Sequence, residues 1–244
     1  MTKAVLSCLM LFMVFAAAPA ESVGGGQVAP PATRPALLSL PMPDFTLPAV
    51  QGGDYGISKL KGKNVLLVFP RGKVADHWCQ ICHYQYLELA ELEHTLGLRK
   101  KYNLEVLFVL PYDQATVEHW VAIFPDQLAV IEGWKNPPEP EKLNDRQKAW
   151  MQTARRFFPK SFDLKKDAVP TPFPVLVDAD RTVSKGLGLF TMNWDGSQVD
   201  QNIPTVFLLD GAGNVVFKYM SQTTFDRPSA AYLLKFLDRM LPVQ

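Results

Sequence analysis

Cysteine is scarce in this chain, and the charges are almost balanced. Three cysteines occur among 244 residues, and 25 basic side chains face 24 acidic ones. A charge balance this even gives no indication of a nucleic-acid partner. The sequence also has no internal repeat and no glycine pattern typical of dinucleotide-binding or P-loop proteins. Its length and its 48% hydrophobic content predict one domain with a sizeable core, and leave room for an appendage.

The first 20 residues predict a signal peptide. Lys3 supplies a positive start, residues 4–17 are apolar almost throughout, and residues 18–20 form the small-residue pattern of a cleavage site. Because the apolar run is short for a membrane span, cleavage before Glu21 is favoured over an uncleaved anchor. We therefore expect an exported, periplasmic protein in which residues 21–40 form a flexible Gly- and Pro-rich linker before a domain at 41–244.

Cleavage would remove Cys8 and leave only Cys79 and Cys82, which form a C-x-x-C motif. One pair cannot build a disulfide framework, so we interpret it as a redox dithiol. The apolar run at 64–70 predicts a buried strand, and the apolar spacing after Cys82 predicts a helix. Cys79 would then lie at a helix N-terminus, where unpaired N–H groups and the helix dipole stabilise a thiolate. We expect Cys79 to be the attacking sulfur and Cys82 the resolving one.

The rest of the chain alternates between strand and helix patterns. A strand is predicted at 104–110, a short helix at 116–124, and two strands on either side of a turn at 210–214. A last amphipathic helix opens at Arg227-Pro228, and four of its residues are predicted to share a face: Ala231, Leu234, Leu237 and Leu241. This order predicts an α/β fold with a central sheet covered on both faces.

Residues 125–172 exceed what such a minimal fold needs. They contain a proline-rich connector and a predicted helix at 143–158 with several aromatic side chains along it. An aromatic stripe at helical spacing is more often core than binding surface, so a structural cap is favoured over a partner-binding surface or a substrate-cleft wall.

Several short segments occur in an informative order. Residues 44–47 read Asp-Phe-Thr-Leu, residues 61–63 read Lys-Gly-Lys before the apolar strand, and Trp78 precedes the C-x-x-C. Apolar segments at 173–178 and 203–211 follow. Together they resemble the redoxin branch of the thioredoxin superfamily, which groups AhpC/TSA-type antioxidant proteins with exported thiol–disulfide oxidoreductases. The resemblance covers about residues 41–124 and 173–241.

This resemblance implies a thioredoxin-like fold, with a central mixed sheet flanked by helices and a helical, Pro-rich insertion at 125–172. It implies that Pro204 follows a cis peptide bond beside the sulfurs, that Ile203 offers its backbone to a bound peptide, and that Trp78 forms an apolar rim. Protein thiols or disulfides and a redox partner protein are the expected partners. No organic cofactor is expected, since the electrons travel through the sulfurs.

A peroxidase is the first alternative. Peroxiredoxins usually carry Pro and Thr seven and three residues before the reactive cysteine, where this chain has Gly72 and Asp76. Pro204 stands where their Arg is usual. We therefore expect the groups that hold a peroxide to be absent, and disulfide exchange to be favoured. A non-catalytic binding module, in which the pair is a stable structural disulfide, also stays open.

A haem-attachment site is a further alternative, because residues 79–83 also match C-x-x-C-H, with His83 as the iron ligand. The strands and helices expected around the motif favour a thioredoxin fold over a small cytochrome. His83 is then expected at the protein surface. A zinc site is disfavoured because the histidines lack the usual ligand spacing.

Overall fold

The computed structural model describes residues 36–163 and 171–243. The predicted signal peptide and most of the predicted linker lie outside these residues, so both stay predictions. Within the described part of the chain, no helix is long and apolar enough to span a membrane.

Short strands and helices alternate along the chain. The strands are β1 (Thr46–Pro48), β2 (Asp54–Gly56), β3 (Asn64–Phe69), β4 (Lys73–Val74), β5 (His77–Trp78), β6 (Leu104–Leu110), β7 (Val175–Val177), β8 (Phe190–Thr191), β9 (Gln201–Asn202), β10 (Thr205–Leu209) and β11 (Val215–Met220). The helices are α1 (Gln80–Leu96), α2 (Leu98–Lys101), α3 (Gln114–Ala122), α4 (Phe124–Lys135), α5 (Asp145–Phe157), α6 (Thr182–Gly186) and α7 (Ala230–Met240).

A five-stranded mixed sheet forms the centre of the fold, in the order β11-β10-β3-β6-β7. Strands β3, β6 and β7 run parallel, whereas β10 pairs antiparallel with both β3 and β11. The sheet confirms the predicted α/β class and the predicted strands at 64–70 and 104–110. Apart from Asn64 and Glu105 these central strands are apolar, as expected where both faces of a sheet are covered.

Helices cover the two faces unequally. Leu66 and Val68 of β3 belong to a core shared with α1, α3, α4, α5 and α7. Val65, Leu67 and Phe69, which point the other way, pack with α6 and with the segment before β3. Because successive side chains of β3 point to opposite faces of the sheet, this one strand contributes to both cores.

The insertion is more helical than predicted. The predicted helix at 116–124 is two helices, α3 and α4, which meet at Ile123. Pro125 does not end a helix, because it lies in the first turn of α4, where its missing N–H costs no hydrogen bond. Helix α5 confirms the prediction at 143–158, and Asn144 with Gln147 forms a capping box at its start. Helix α4 packs against α1 and α5, which ties the insertion to the helix that carries the dithiol.

The buried face of α7 differs by one position from the prediction. Ser229 caps the helix by accepting a hydrogen bond from the N–H of Tyr232. Leu237 and Leu241 are buried as predicted, but Ala230 and Leu233 are buried in place of Ala231 and Leu234. Ala231 is exposed. The orientation follows from packing against α1, which the helical period alone does not specify.

Candidate functional site: a dithiol between two arginines

The dithiol lies where the chain returns from a small hairpin into α1. After β3, residues of β4 and β5 pair antiparallel, and Cys79 then occupies the N-cap position of α1 with an extended backbone. The N–H of Cys79 donates to the carbonyl of Gly72 at 3.0 Å, which closes the hairpin against the helix start. The predicted location of Cys79 at a helix N-terminus is confirmed.

Gly72 is required by this geometry. Its φ of 88° lies in the left-handed region, and a Cβ atom there would lie 2.6 Å from Cε2 of Tyr112. The Tyr112 hydroxyl accepts a hydrogen bond from the N–H of Lys73 at 2.8 Å, so the ring is held in place. A larger residue at position 72 would displace the loop that positions Cys79.

Both cysteines are buried and carry free thiols. A hydrogen bond from the Cys82 thiol, the charge of Arg227, the Cys82 N–H and the charge of Arg71 lower the pKa of Cys79 from 9.0 to about 6, against the opposing effect of burial. Burial and the interaction with Cys79 raise the pKa of Cys82. The N–H of Arg71 donates to the Cys82 sulfur at 3.3 Å. One sulfur is thus ready to attack while the other keeps its proton.

Two arginines beside the dithiol were not identified from the sequence. Arg71 lies two residues after the end of β3 and is 3% exposed. Its guanidinium donates to three side chains: Gln201 at 2.7 Å, Ser197 at 2.6 Å and Thr224 at 3.1 Å. Its Cζ lies 4.9 Å from the ring centre of Trp194. Several long-range contacts therefore hold this charge next to the sulfurs.

Arg227 approaches the same tryptophan, with its Cζ 5.4 Å from the ring centre of Trp194. Its Nη1 donates to the carbonyls of Thr223 and Asp226. Its Nε and Nη2 are buried and have no partner in the described part of the chain. These two guanidinium groups place positive charge beside the dithiol, and the expectation that the site lacks groups able to hold a peroxide stays a prediction. The only sequence signal was their position, directly after Pro70 for Arg71 and three residues before the start of α7 for Arg227.

The other predicted site residues lie near the dithiol in different environments. Trp78 is 4% exposed and packs edge-on against Tyr112 with ring centres 5.4 Å apart. Its contacts are therefore mainly those of packing, and a role as a substrate rim stays a prediction. Ile203 is half-buried and its N–H donates to the carbonyl of Leu189 at 2.7 Å, so that donor is already used.

The peptide bond before Pro204 is trans, which corrects the expected cis bond. The trans form is the lower-energy isomer by about 0.5–1 kcal/mol, and here β9 leads into β10 without a tight turn. The neighbouring N–H of Asn202 donates to the carbonyl of Arg71 at 3.1 Å. Pro204 thus follows a segment that contacts the dithiol through Arg71, and its catalytic role stays a prediction.

Comparison with known proteins identifies the family. The family model described as Redoxin matches residues 39–234 of this chain. The chain belongs to the redoxin family.

Solved structures that match this redoxin share little of its sequence. A thiol peroxidase from Chromobacterium violaceum is 13% identical with a TM-score of 0.50, and the match covers 84% of this chain and 88% of that one. The reduced 2-Cys peroxiredoxin of Plasmodium vivax is 17% identical with a TM-score of 0.49, over 84% and 81% of the two chains. A Chlorobium tepidum protein described as the thiol:disulfide interchange protein DsbE is 18% identical with a TM-score of 0.46, over 83% and 96%. Comparison with curated proteins finds no match. Family and fold together support a thiol-based redox function.

His83 corrects the expectation of a surface residue. It is fully buried between the rings of Trp120 and Phe124, each centred 4.6 Å away. Its Nδ1 lies 3.3 Å from the carbonyl oxygen of Cys79, and its Nε2 lies 3.1 Å from that of Trp120. Burial lowers its pKa to about 4, so the ring is neutral at pH 7. An enclosed imidazole with both nitrogens against carbonyls does not fit an axial haem ligand in this redoxin.

Proposed function

We propose that this redoxin is an exported thiol–disulfide oxidoreductase that exchanges disulfides with protein substrates through Cys79 and Cys82. The observation that carries the proposal is the placement of Cys79 at the N-cap of α1 with Cys82 in the first turn of the same helix, both as free thiols. The Cys82 thiol lowers the pKa of Cys79, and burial raises that of Cys82, which gives the pair separate attacking and resolving roles.

The exchange proceeds in two steps. The Cys79 thiolate attacks one sulfur of a substrate disulfide, so that a mixed disulfide forms and one substrate thiolate leaves. Cys82 then loses its proton and attacks the Cys79 sulfur, which releases the second substrate thiolate and forms the Cys79–Cys82 disulfide. Two electrons pass from protein to substrate, and the two leaving thiolates take up two protons. A redox partner protein that reverses the process would complete the cycle.

Export rests on the signal-peptide pattern of residues 1–20. In an oxidising compartment, a lone cysteine pair whose members have different pKa values is better suited to disulfide exchange than to the role of a structural disulfide. The difference between the pKa values of Cys79 and Cys82 also argues against the binding-module alternative, because a permanent structural disulfide contains no thiolate to stabilise.

Cysteine variants test this function. Cys82→Ser should trap a mixed disulfide with a model disulfide substrate, because the attacking thiolate remains while the resolving thiol is missing. Cys79→Ser should neither trap substrate nor turn it over. Retention of disulfide reduction by Cys79→Ser would contradict the proposal, and a wild-type pair that exchanges with no disulfide would favour the binding module.

Peroxide reduction is a second candidate, and the positions of Arg71 and Arg227 favour it. Cys79 is only 4% exposed, so a small peroxide reaches its sulfur with less rearrangement than a protein does. The thiolate would attack one peroxide oxygen to give a sulfenate and release an alcohol or water. The sulfenate would take up a proton and condense with the Cys82 thiol, which forms the disulfide and releases water.

Competition between substrates separates the two candidates. The oxidation of the reduced protein by hydrogen peroxide and by a peptide disulfide is measured at equal concentrations. Faster oxidation by the disulfide is expected. A faster peroxide reaction, with a sulfenic acid trapped on Cys79 in the Cys82→Ser variant, would instead identify a peroxidase.

A further inference from the structure

A cleft of about 300 Å³ lies beside the first turn of α1. Ile81, which stands between the two cysteines in sequence, forms part of its wall, and so does Arg227. The charge of Arg227 also acts on the sulfur of Cys79, so the cleft and the dithiol share this residue. A larger cleft of about 630 Å³, lined by Glu91 and His94, shares no residue with the dithiol site.

Aromatic side chains from distant parts of the chain meet in the smaller cleft. Phe157 at the end of α5 and Phe225 in the loop before α7 have ring centres 5.2 Å apart. Phe225 also contacts Trp150 of α5, at 5.5 Å between centres. Phe157 is 40% exposed, which is unusual for so large an apolar side chain beside a cleft. The insertion therefore contributes an apolar wall next to the dithiol.

The charges in the cleft are mainly positive. Arg156 is exposed, and its Cζ lies 5.3 Å from the ring centre of Phe157. Neither Arg156 nor Arg227 makes an ion pair within residues 36–163 and 171–243. The one acidic lining residue, Glu88, is 9% exposed and receives the N–H of Ala230. Two guanidinium groups without carboxylate partners thus flank an aromatic surface.

We propose that this cleft binds the residues that flank the disulfide in a protein substrate, and that it selects an aromatic side chain followed by a carboxylate. The inference rests on the proposed disulfide exchange and names its substrate class. The volume is at the lower end of ligand pockets and suits a short peptide stretch. An aromatic ring would pack against Phe157 and Phe225, and the neighbouring carboxylate would lie between Arg156 and Arg227, where paired hydrogen bonds to guanidinium are strongest.

Three matched peptide disulfides test the selection. They are identical except for Glu, Gln or Lys at the position after a phenylalanine beside the cysteine. The rate at which the reduced protein reduces each peptide is measured at about 0.01 M salt and at about 0.5 M salt, between which the Debye length falls from about 30 Å to about 4 Å. The Glu peptide should react about fivefold faster than the Gln peptide, as expected for an ion pair at a partly exposed site, and the Lys peptide slowest. Salt should reduce the difference.

Two variants on the same helix provide the comparison. Arg156→Gln should bring the Glu-to-Gln rate ratio close to one, whereas Arg146→Gln should preserve it, because Arg146 is exposed and does not line the cleft. Equal rates for the three peptides would overturn the inference and leave disulfide exchange standing. A ratio equally reduced by Arg146→Gln would overturn it as well, by showing a general charge effect. If no peptide is reduced, both the exchange function and the inference fail.

Discussion

Replacement of Cys82 by alanine tests the physical basis of the reactive thiolate. In the wild type the pKa of Cys79 is about 6 instead of 9.0, with the Cys82 thiol as the largest cause. At pH 7 this corresponds to about 90% thiolate. A hydrogen bond to a charged group contributes about 1.5–3 kcal/mol, or about one to two pH units. In Cys82→Ala the pKa of Cys79 should therefore rise to about 7–8, which leaves about 10–50% thiolate at pH 7.

Cys82→Ser is the matched control, because its hydroxyl still donates a hydrogen bond to the Cys79 sulfur. The pKa is measured from the pH dependence of alkylation by iodoacetamide, in a chain that starts at Glu21 and so has no other cysteine once Cys82 is replaced. Alkylation of Cys82→Ala at pH 7 should be about two to nine times slower than in the wild type, with the serine variant in between.

Equal pKa values in the alanine and serine variants would refute this reasoning. The low pKa would then come from Arg71, Arg227 and the helix N-terminus alone. Arg227→Gln should raise the pKa of Cys79 whether or not the Cys82 hydrogen bond contributes, because the charge of Arg227 also stabilises the thiolate. A raised pKa in this variant would therefore show that the thiolate is present and that only the hydrogen bond is missing.

The buried side chains around the dithiol yield two further predictions. The pKa of His83 is about 4 in the fold against 6.5 in an unfolded chain, so its contribution to stability is complete above pH 6.5 and is lost as the pH falls through 4. Between pH 7 and pH 4 the free energy of unfolding, measured with denaturant, should fall by about 3 kcal/mol more in the wild type than in His83→Gln. The same pH dependence in both proteins would contradict the buried neutral imidazole. Gly72→Ala should lower the free energy of unfolding by about 2–4 kcal/mol, from its positive φ and its overlap with Tyr112. Gly133→Ala, in helix α4 with nothing within 4 Å, should instead raise that free energy by up to about 1 kcal/mol. Thermal or urea denaturation measures both, and a Gly72→Ala variant as stable as Gly133→Ala would show that the loop relaxes freely.

Local patterns in the sequence determined much of the scaffold. The apolar runs of β3 and β6 predicted their own boundaries because central strands are buried on both faces and tolerate few polar residues. The start of α1 at the C-x-x-C followed from the change from strand to helix spacing. These features depend on neighbouring residues only. The helix predicted to end at residue 124 shows the limit of such reasoning. Pro125 could follow the end of one helix or lie in the first turn of the next, and in the fold it lies in the first turn of α4, which packs on α1.

The environment of the sulfurs was decided by tertiary structure. Arg71 is held by Gln201, 130 residues later in the chain, and Trp194 brings it close to Arg227. No local periodicity encodes these contacts, because each joins loops that only the sheet order brings together. His83 was misplaced for the same reason: its helical position is visible in the sequence, but the side of α1 that faces Trp120 is set by how α3 packs against it. The sequence by itself therefore determined which two cysteines form the pair and where the helix begins. Only the folded chain decided which charges lower the pKa of Cys79, because electrostatic interactions act through space and not along the chain.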